Sequence, residues 1–225
     1  MPVALDVTDH AQVRDAVARA QALAGGPLDA VVNNAAYAVF GAQEEVPLDE
    51  VRAMLETNVF GPMAVVQAAL PAMRAAGRGV IVNVSSSGVH MPIPLLGAYA
   101  ASKRALNALT DALAVECRPF GVRVARVEPG VVDTDFPRAV RRTGPASRGE
   151  GPYAPLAAQV RAGFLAWRAV YRTSPEGVAD VIVRAVIDPG APAVQLVGED
   201  AVARLGTDEE GVLAFLGAHW PRVPA

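Results

Sequence analysis

Short, uniformly apolar runs that alternate with helical stretches are the feature that most constrains the fold of this chain. The run Gly79–Val84 is apolar nearly throughout rather than at every second residue. Strands of that kind are buried on both faces, and the helices that connect them cover both faces of a parallel sheet. The alternation predicts an α/β fold with a doubly wound parallel sheet. Because domains usually span roughly 100–200 residues, we expect a single domain over residues 1–225.

The same patterns assign the individual elements. Strands are expected at Pro2–Val7, Leu28–Val32, Gly79–Val84, Val122–Val127 and Ala193–Val197. Helices are expected at Asp9–Ala24, Leu48–Asn58, Pro62–Ala76, Ala98–Phe120 and Pro175–Ile187. The arginine-rich residues 136–152 predict a flexible loop, which is either a solvated connection or the start of a lid over a substrate pocket. The apolar helix after it is either a wall of that pocket or ordinary core.

Composition argues against several classes of function. Apolar residues make up 52% of the chain, and its formal charge of −3 argues against nucleic acid or an anionic membrane as the main partner. No segment resembles an export signal or reaches the ~18 consecutive apolar residues of a membrane span. Cys117 is the only cysteine and cannot form a disulfide within the chain. We therefore expect a cytoplasmic protein, and no metal site.

Tyr99 and Lys103 are candidate acid/base residues. They lie four residues apart on the expected helix Ala98–Phe120, so they share one face about a turn apart. A free tyrosine has a pKa of about 10, and a nearby ammonium lowers it by favouring the phenolate. Lys103 is the only lysine among 20 basic residues, which supports a specific role. The alternative is a tyrosine and a lysine on an ordinary helix surface.

Two polar residues add to this pair. Ser86 follows the expected strand Gly79–Val84, at the edge where catalytic and binding groups gather in an open parallel sheet. Its hydroxyl either hydrogen-bonds a substrate oxygen or makes a plain turn or helix cap. Asn58 either kinks or caps a helix, or anchors a water that links Lys103 to solvent.

Two further patches follow other strands. Asn33–Ala36 comes after Leu28–Val32, where small residues let a cofactor approach the backbone. Pro129–Thr134 comes after Val122–Val127 and makes a turn that ends in a hydroxyl. Each patch is a weak signal alone, but their order on successive strand ends makes the set specific.

With these residues together, the chain resembles a short-chain dehydrogenase/reductase from about Val3 to Phe136. Asn33–Ala36 is similar to the family's Asn-Asn-Ala-Gly motif, with Ala36 in place of the glycine. Pro129–Thr134 is similar to the family's Pro-Gly turn. The family's four catalytic residues match Asn58, Ser86, Tyr99 and Lys103. In the run from Pro119 to Phe136 the chain is similar to steroid- and retinol-type members, which implies hydrophobic alcohols or ketones as substrates.

The resemblance implies a Rossmann-like fold and an NAD(P)-dependent oxidoreductase that interconverts an alcohol and a ketone or aldehyde. Tyr99 would exchange the substrate proton while hydride passes to or from nicotinamide C4, and Ser86 would steady the substrate oxygen. Lys103 would lower the Tyr99 pKa and hold the nicotinamide ribose, and Asn58 would support the proton relay. The implied cofactor-binding residues are Asp6 and Val7 at the adenine, Asn33 and Ala35 on the adenosine side, Pro129, Gly130, Val132 and Thr134 at the carboxamide end, and Tyr99 and Lys103. Members of the family usually form homodimers or homotetramers.

One part of the family pattern is missing from the 225 residues. No Gly-x-x-x-Gly-x-Gly turn occurs in them. Family members carry a strand, that turn, a helix and a second strand before the segment that matches Pro2. The resemblance therefore implies an N-terminally truncated sheet in which Leu28–Val32 is an exposed apolar edge. The missing segment would hold the cofactor pyrophosphate and would choose between NAD and NADP.

Three explanations follow from this gap. The working enzyme is longer than the 225 residues, or the chain is a truncated, catalytically inactive pseudoenzyme, or it is a non-enzymatic interaction protein on the same scaffold. Retention of the whole set of catalytic residues favours the first explanation.

Overall fold

The computed structural model of the chain describes residues 2–203, so residues 204–225 of the expected domain lie outside the described part. Its strands are β1 Ala30–Asn33, β2 Ala38–Phe40, β3 Gly79–Val84, β4 Val122–Pro129, β5 Val140–Arg142 and β6 Val194–Val197. Its α-helices are α1 His10–Ala24, α2 Leu48–Leu55, α3 Gly61–Ala76, α4 Gly97–Cys117, α5 Gly144–Ser147, α6 Ala154–Val170, α7 Pro175–Ile187 and α8 Glu199–Ala203.

Four of these strands form one parallel sheet in the order β1-β3-β4-β6, while β2 and β5 form a separate parallel pair. Alternate residues of β3 enter different cores. Ile81 packs with residues of α1 and α3, whereas Val80 and Val82 pack with residues of α7. Both faces of the sheet are therefore covered by helices, which is why its central strands are apolar throughout. The predicted α/β fold is confirmed.

Helix α1 shows how local sequence sets the ends of an element. The Asp9 carboxylate accepts hydrogen bonds from the backbone N–H groups of Ala11 and Gln12, at 3.0 and 3.1 Å. Gly25 ends the helix with a φ of 70°, a left-handed conformation that glycine adopts without a steric penalty. Val13 and Val17 bury the inner face of α1 against the sheet. The predicted helix is confirmed at both ends.

The segment Pro2–Val7 is not a strand, and that prediction is wrong. Residues 2–6 have no regular secondary structure, and the described residues supply no strand beyond β1 that could pair with them. A strand without a neighbour has no partners for its backbone hydrogen bonds. Strand β1 is consequently the sheet edge, with Val32 43% exposed, so the predicted exposed apolar edge is confirmed in the described part of the chain.

Residues 48–76 form a continuous helical stretch, where the sequence predicted a break at Gly61. Between α2 and α3 lies a π-helical turn, Glu56–Phe60, and Pro62 falls in the first turn of α3. Proline is tolerated there because its missing N–H would lack a partner in any case. The irregularity therefore comes a few residues earlier than predicted, at Asn58 rather than at Gly61.

Residues 136–152 are more ordered than the predicted flexible loop. They contain a 3₁₀ turn at Phe136–Ala139, strand β5 and helix α5. The pairing of β5 with β2 aligns Ala38 with Val140 and Phe40 with Arg142. Strand β2 was not predicted, because three residues are too few to show a pattern and their partner lies about a hundred residues away.

Candidate active site

The carboxyl ends of three parallel strands meet at one edge of the sheet. Asn33, the last residue of β1, pairs with Asn83 of β3, and Val84 at the end of β3 pairs with Val127 of β4. The polar segments that follow these strands therefore start from the same edge. This is the edge at which open α/β sheets bind ligands.

Helix α4 carries Tyr99 and Lys103 to this edge. Lys103 is only 3% exposed, and its Nζ donates a hydrogen bond to the Val84 carbonyl at the end of β3, at 2.8 Å. Burial lowers the pKa of Lys103 to about 8. The ammonium is still the main species at neutral pH, and it lies in a medium where its field is weakly screened.

Tyr99 lies one turn earlier on α4 and is half-buried. Its ring packs against the ring of Phe136, with centroids 6.0 Å apart and a tilt of 51° between the planes. It also packs against an apolar cluster described below. The side chain is thus held between α4 and the segment after β4.

Ser86 lies just beyond β3 and has an extended backbone. Its Oγ accepts a hydrogen bond from Gly88 N at 3.1 Å and so caps the 3₁₀ turn Ser87–His90. The cap interpretation of Ser86 is therefore confirmed, and because the oxygen accepts in this bond the hydroxyl can still donate its proton. Neighbouring Ser85 and Ser87 are buried, and their hydroxyls have no hydrogen-bond partner among the described residues.

Asn58 is fully buried in the π-helical turn. Its Nδ2 donates to the Tyr37 carbonyl at 2.9 Å and to Ser102 Oγ at 3.0 Å, and its Oδ1 accepts from Tyr37 N at 3.1 Å. The side chain thereby ties the backbone that follows Asn33–Ala36 to α4, next to Lys103. The irregular turn is consistent with the helix-kinking alternative, and π turns of this kind often occur at functional sites.

The residues expected at the adenosine end are spread along the surface. Asn33 donates to Asn83 Oδ1 at 2.8 Å, and Ala35 is exposed. Asp6 is exposed, and hydrogen bonds from the backbone and side chain of Thr8 lower its pKa. Val7 lies against Gly61 at the start of α3, where an added Cβ would lie 3.0 Å from the valine side chain. The structure places Asp6 and Val7 on an irregular segment rather than at a strand end.

The turn after β4 is held by hydrogen bonds to β6 and to Asp200. The Gly130 N–H donates to the Val197 carbonyl at 2.9 Å, and the Val131 N–H donates to Asp200 Oδ2 at 2.8 Å. A Cβ on Gly130 would lie 1.9 Å from Asp200 Oδ1, so only glycine fits there. Pro129 is buried, and Thr134 N donates to the Val132 carbonyl at 2.9 Å.

Sequence reasoning missed Asp200, which is fully buried beneath this turn. Trp167 of α6 donates its Nε1 hydrogen to Asp200 Oδ2 at 3.3 Å, which links α6 to the turn. The signal was a polar residue just after the last strand, the same signal that identified Ser86. Asp133 adds a second link, because a hydrogen bond from Arg168 of α6 lowers the pKa of that carboxyl.

An apolar cluster lies beside Tyr99. It is built outside the four-stranded sheet, from residues of β2, α5, α6 and the segments next to β2 and α4: Ala38, Phe40, Ala42, Leu95, Leu96, Ala146, Ala157 and Val160. Leu156 and Phe164 of α6 pack against it, as does Tyr99 itself. Leu165 and Val170 of the same helix are 70% and 73% exposed. One face of α6 therefore packs into this cluster and the other is exposed, which fits both a pocket wall and ordinary core.

Residues 140–153 are held to the loop after β1 by several polar contacts in addition to the β2–β5 pairing. The Arg141 guanidinium stacks 4.4 Å from the centre of the Tyr37 ring and pairs with Glu50 at 3.3 Å. Ala146 N donates to Glu45 Oε2 at 3.0 Å. These contacts place residues 140–153 against the apolar cluster next to Tyr99.

An open cavity of about 430 Å³ lies at the opposite end of β4, lined by Val122 and Arg123 among others. It is remote from the strand ends that carry the polar residues, so it does not belong to this site.

One helical stretch, Leu48–Ala76, is long and apolar enough to cross a membrane by length and composition alone, with a mean hydropathy of 1.2. Its α3 portion packs against α1, so it is a core helix of this fold and does not indicate a membrane protein. Polar and charged residues interrupt this stretch, so it contains no run of 18 consecutive apolar residues, as the sequence indicated.

A parallel sheet covered by helices, with a buried lysine, a tyrosine and a capping serine at its carboxyl edge, defines a Rossmann-like α/β protein. The family model described as short chain dehydrogenase matches residues 1–144. The chain belongs to the short-chain dehydrogenase/reductase family, whose members act on CH–OH groups with NAD or NADP.

Individual proteins agree with this assignment. Oxidoreductase BOA17 of Botryotinia fuckeliana is 32% identical over 219 residues, covering 97% of this chain and 78% of that protein. Against other curated relatives the match spans about half of their length. The crystal structure of a short-chain dehydrogenase from Streptomyces avermitilis superposes with a TM-score of 0.81 at 34% identity, covering 96% of this chain and 77% of that one. A metagenomic short-chain oxidoreductase in complex with NADP matches with a TM-score of 0.63 at 28% identity, over 87% and 72% of the two chains.

Proposed function

We propose that the site interconverts an alcohol and a ketone or aldehyde, with Tyr99 as the proton donor and acceptor. The observation that carries this proposal is the burial of Lys103 one turn from Tyr99 on α4. An ammonium in a poorly screened site favours the phenolate and so brings the tyrosine pKa towards neutrality, where proton exchange is efficient.

The other residues have roles that follow from their contacts. Ser86 keeps its hydroxyl proton available and donates it to the substrate oxygen. Asn58 holds the chain after β1 against α4 and supports proton supply to Lys103. NAD(P) supplies the hydride or accepts it when bound.

The residues present fit the nicotinamide half of such a cofactor. The turn Pro129–Thr134 is rigidly backed by Asp200 and β6, Lys103 has a donor group at the edge of the sheet, and Ala35 and Ala36 leave the approach to the backbone open. We assign Asp6, Val7, Asn33 and Ala35 to the adenosine side. The 225 residues contain no glycine-rich turn for the pyrophosphate, and they leave open the choice between NAD and NADP.

We further propose an apolar substrate. Tyr99 packs against the apolar cluster formed by the β2–β5 region, residues 95 and 96 and one face of α6. Burying an apolar substrate there is favoured by about 25 cal/mol for each Å² removed from water.

A homodimer or homotetramer is expected as well, because Leu109 and Val115 of α4 are 37% and 74% exposed. Light scattering after gel filtration tests that expectation.

The decisive experiment separates binding from turnover. NADH and NADPH are titrated into the 225-residue chain while the tryptophan fluorescence is followed, since Trp167 lies next to the proposed carboxamide turn. Turnover is then measured with apolar ketones of increasing chain length. Tyr99→Phe should abolish turnover and leave the cofactor dissociation constant unchanged. Tyr171→Phe, which alters a ring stacked on Trp167, is the matched control and should retain turnover.

Two results would count against the proposal. Turnover that survives in Tyr99→Phe would remove Tyr99 from the mechanism. A folded 225-residue chain that binds neither cofactor is expected if the working enzyme is longer and also if the chain is a non-catalytic pseudoenzyme or interaction protein. A longer form that carries the glycine-rich turn and still shows no turnover would favour the non-catalytic alternative. The exposed edge strand β1 is the observation in favour of that alternative, because an open edge is available for pairing with another chain.

A further inference from the structure

Glu128 is a buried carboxylate that none of the roles above uses. It is the residue before Pro129 at the end of β4, and it is 0% exposed. Oε1 accepts hydrogen bonds from Asn107 Nδ2 and from Arg126 Nε, each at 2.8 Å. Oε2 lies 2.5 Å from His90 Nε2. A carboxylate with three nitrogen partners is well compensated, and removing it leaves several partly buried nitrogens without this partner.

The partners of Glu128 come from different parts of the site. His90 ends the 3₁₀ turn that Ser86 caps. Asn107 lies four residues after Lys103 on α4, and therefore on the same face of that helix. Arg126 lies two residues earlier on β4 and also pairs with Asp111 of α4.

We propose that Glu128 is a positioning residue that sets the distances between Ser86, the Tyr99–Lys103 pair and the turn Pro129–Thr134. This inference rests on the proposed function of those residues. Strand β4 is the rigid reference, because β3 and β6 flank it in the sheet. One carboxylate on that strand holds the Ser86 segment through His90 and α4 through Asn107.

The geometry predicts how substitutions act. Glu128→Leu removes every one of these contacts. Glu128→Gln keeps an acceptor oxygen for Asn107 and Arg126, and its amide can donate to a neutral His90, so it should preserve the arrangement. Since a displacement of about 1 Å can cost about 100-fold in rate, Glu128→Leu should lower kcat by ~10- to 100-fold, with the KM for substrate and the cofactor dissociation constant changed less than about twofold. Glu128→Gln should restore most of kcat.

A matched control lies at the other end of the same strand. Arg123 donates to the carbonyls of Ala185, Val186 and Asp188, and it is remote from the strand end that carries Glu128. Arg123→Leu also removes several hydrogen bonds made by a β4 side chain, so it reports what destabilisation alone does. His90→Phe and Asn107→Leu each remove one contact, and they carry the test if Glu128→Leu does not fold.

Two measurements test the inference. Hydrogen exchange followed by mass spectrometry on the free chain should show faster exchange at residues 85–96 and 97–107 in Glu128→Leu, with α1 unchanged, and no such change in Arg123→Leu. Steady-state kinetics should show the kcat loss and its recovery in Glu128→Gln. Unchanged exchange in both segments overturns the inference whether or not the wild-type chain turns over. A kcat loss no larger than that of Arg123→Leu also overturns it. A longer form that carries the glycine-rich turn and shows no turnover defeats the proposed function, and hydrogen exchange on the free 225-residue chain then tests the role of Glu128 by itself.

Discussion

Replacing Lys103 with methionine should make the folded protein more stable relative to wild type at neutral pH than at alkaline pH. Burial lowers the pKa of Lys103 from 10.5 to about 8. Each pKa unit corresponds to about 1.4 kcal/mol, so holding the charged lysine in the folded protein costs about 3 kcal/mol. Methionine removes that cost but leaves the Val84 carbonyl without its donor, which costs about 1–3 kcal/mol. The variant should therefore be as stable as wild type at pH 7, or more stable by up to about 2 kcal/mol.

The pH dependence gives the sharper test. Below pH 8 the folded and unfolded wild-type chains are both protonated at Lys103, and the full cost is present. Between about pH 8 and 10.5 the unfolded chain binds more protons, so wild-type stability rises with pH while the methionine variant lacks that contribution. The stability advantage of Lys103→Met should shrink by about 2 kcal/mol between pH 7 and 9.5.

Urea unfolding at both pH values measures this difference, with Arg104→Met, a change of a neighbouring exposed cation, as the matched control. The difference in unfolding free energy between Arg104→Met and wild type should be the same at both pH values, because arginine does not titrate in this range. Since the chain has a single lysine, an ε-¹³C label gives one side-chain signal whose midpoint reports Lys103 directly. An NMR titration midpoint above pH 10, or a stability advantage of Lys103→Met that does not change with pH, would show that burial does not lower the pKa of Lys103.

Three other substitutions test the supports of the site. Gly130→Ala should lower the free energy of unfolding by about 1–3 kcal/mol in chemical denaturation, because its Cβ would overlap Asp200; an unchanged value would show that the turn relaxes at little cost. Asn58→Ala strands the Tyr37 amide and carbonyl and should cost about 3 kcal/mol by the same assay, and a loss below ~1 kcal/mol would mean that these bonds are replaced by water. Val32→Lys on the exposed edge strand should slow aggregation in light scattering with a stability change below ~0.5 kcal/mol, and equally fast aggregation would exclude this edge as the sticking surface.

Most elements of the fold were predictable because their signals are local. Strand β3 and helix α7 have the predicted bounds, and α1 begins and ends where Asp9 and Gly25 cap it. The errors came where an element depends on a distant partner. Pro2–Val7 has an apolar pattern but no described strand to pair with, and β2 has only three residues, which become a strand by pairing with β5.

In the candidate site, too, residues with a local sequence signal could be predicted, and contacts with distant parts of the chain could not. The positions of Ser86 and of the Tyr99–Lys103 pair could be expected, because they follow from a strand end and from helical spacing. Asp200 carried the same local signal as Ser86, but the contacts of the supporting residues were not predictable. Asp200 and Glu128 are polar residues at the ends of strands, and nothing in their neighbours in sequence shows that they are buried under a turn or bonded to α4.

The amino-acid sequence by itself determined the alternation of strands and helices, the family, and the chemistry-bearing residues at successive strand ends, because these depend on periodicity and on residue type at short spacing. Only the tertiary structure decided that Lys103 is buried with a lowered pKa, that residues 136–152 pack against the loop after β1, and that Glu128 joins three segments of the site. Burial and contacts between residues far apart in the chain depend on how the elements pack, and packing has no signature at any single position of the sequence.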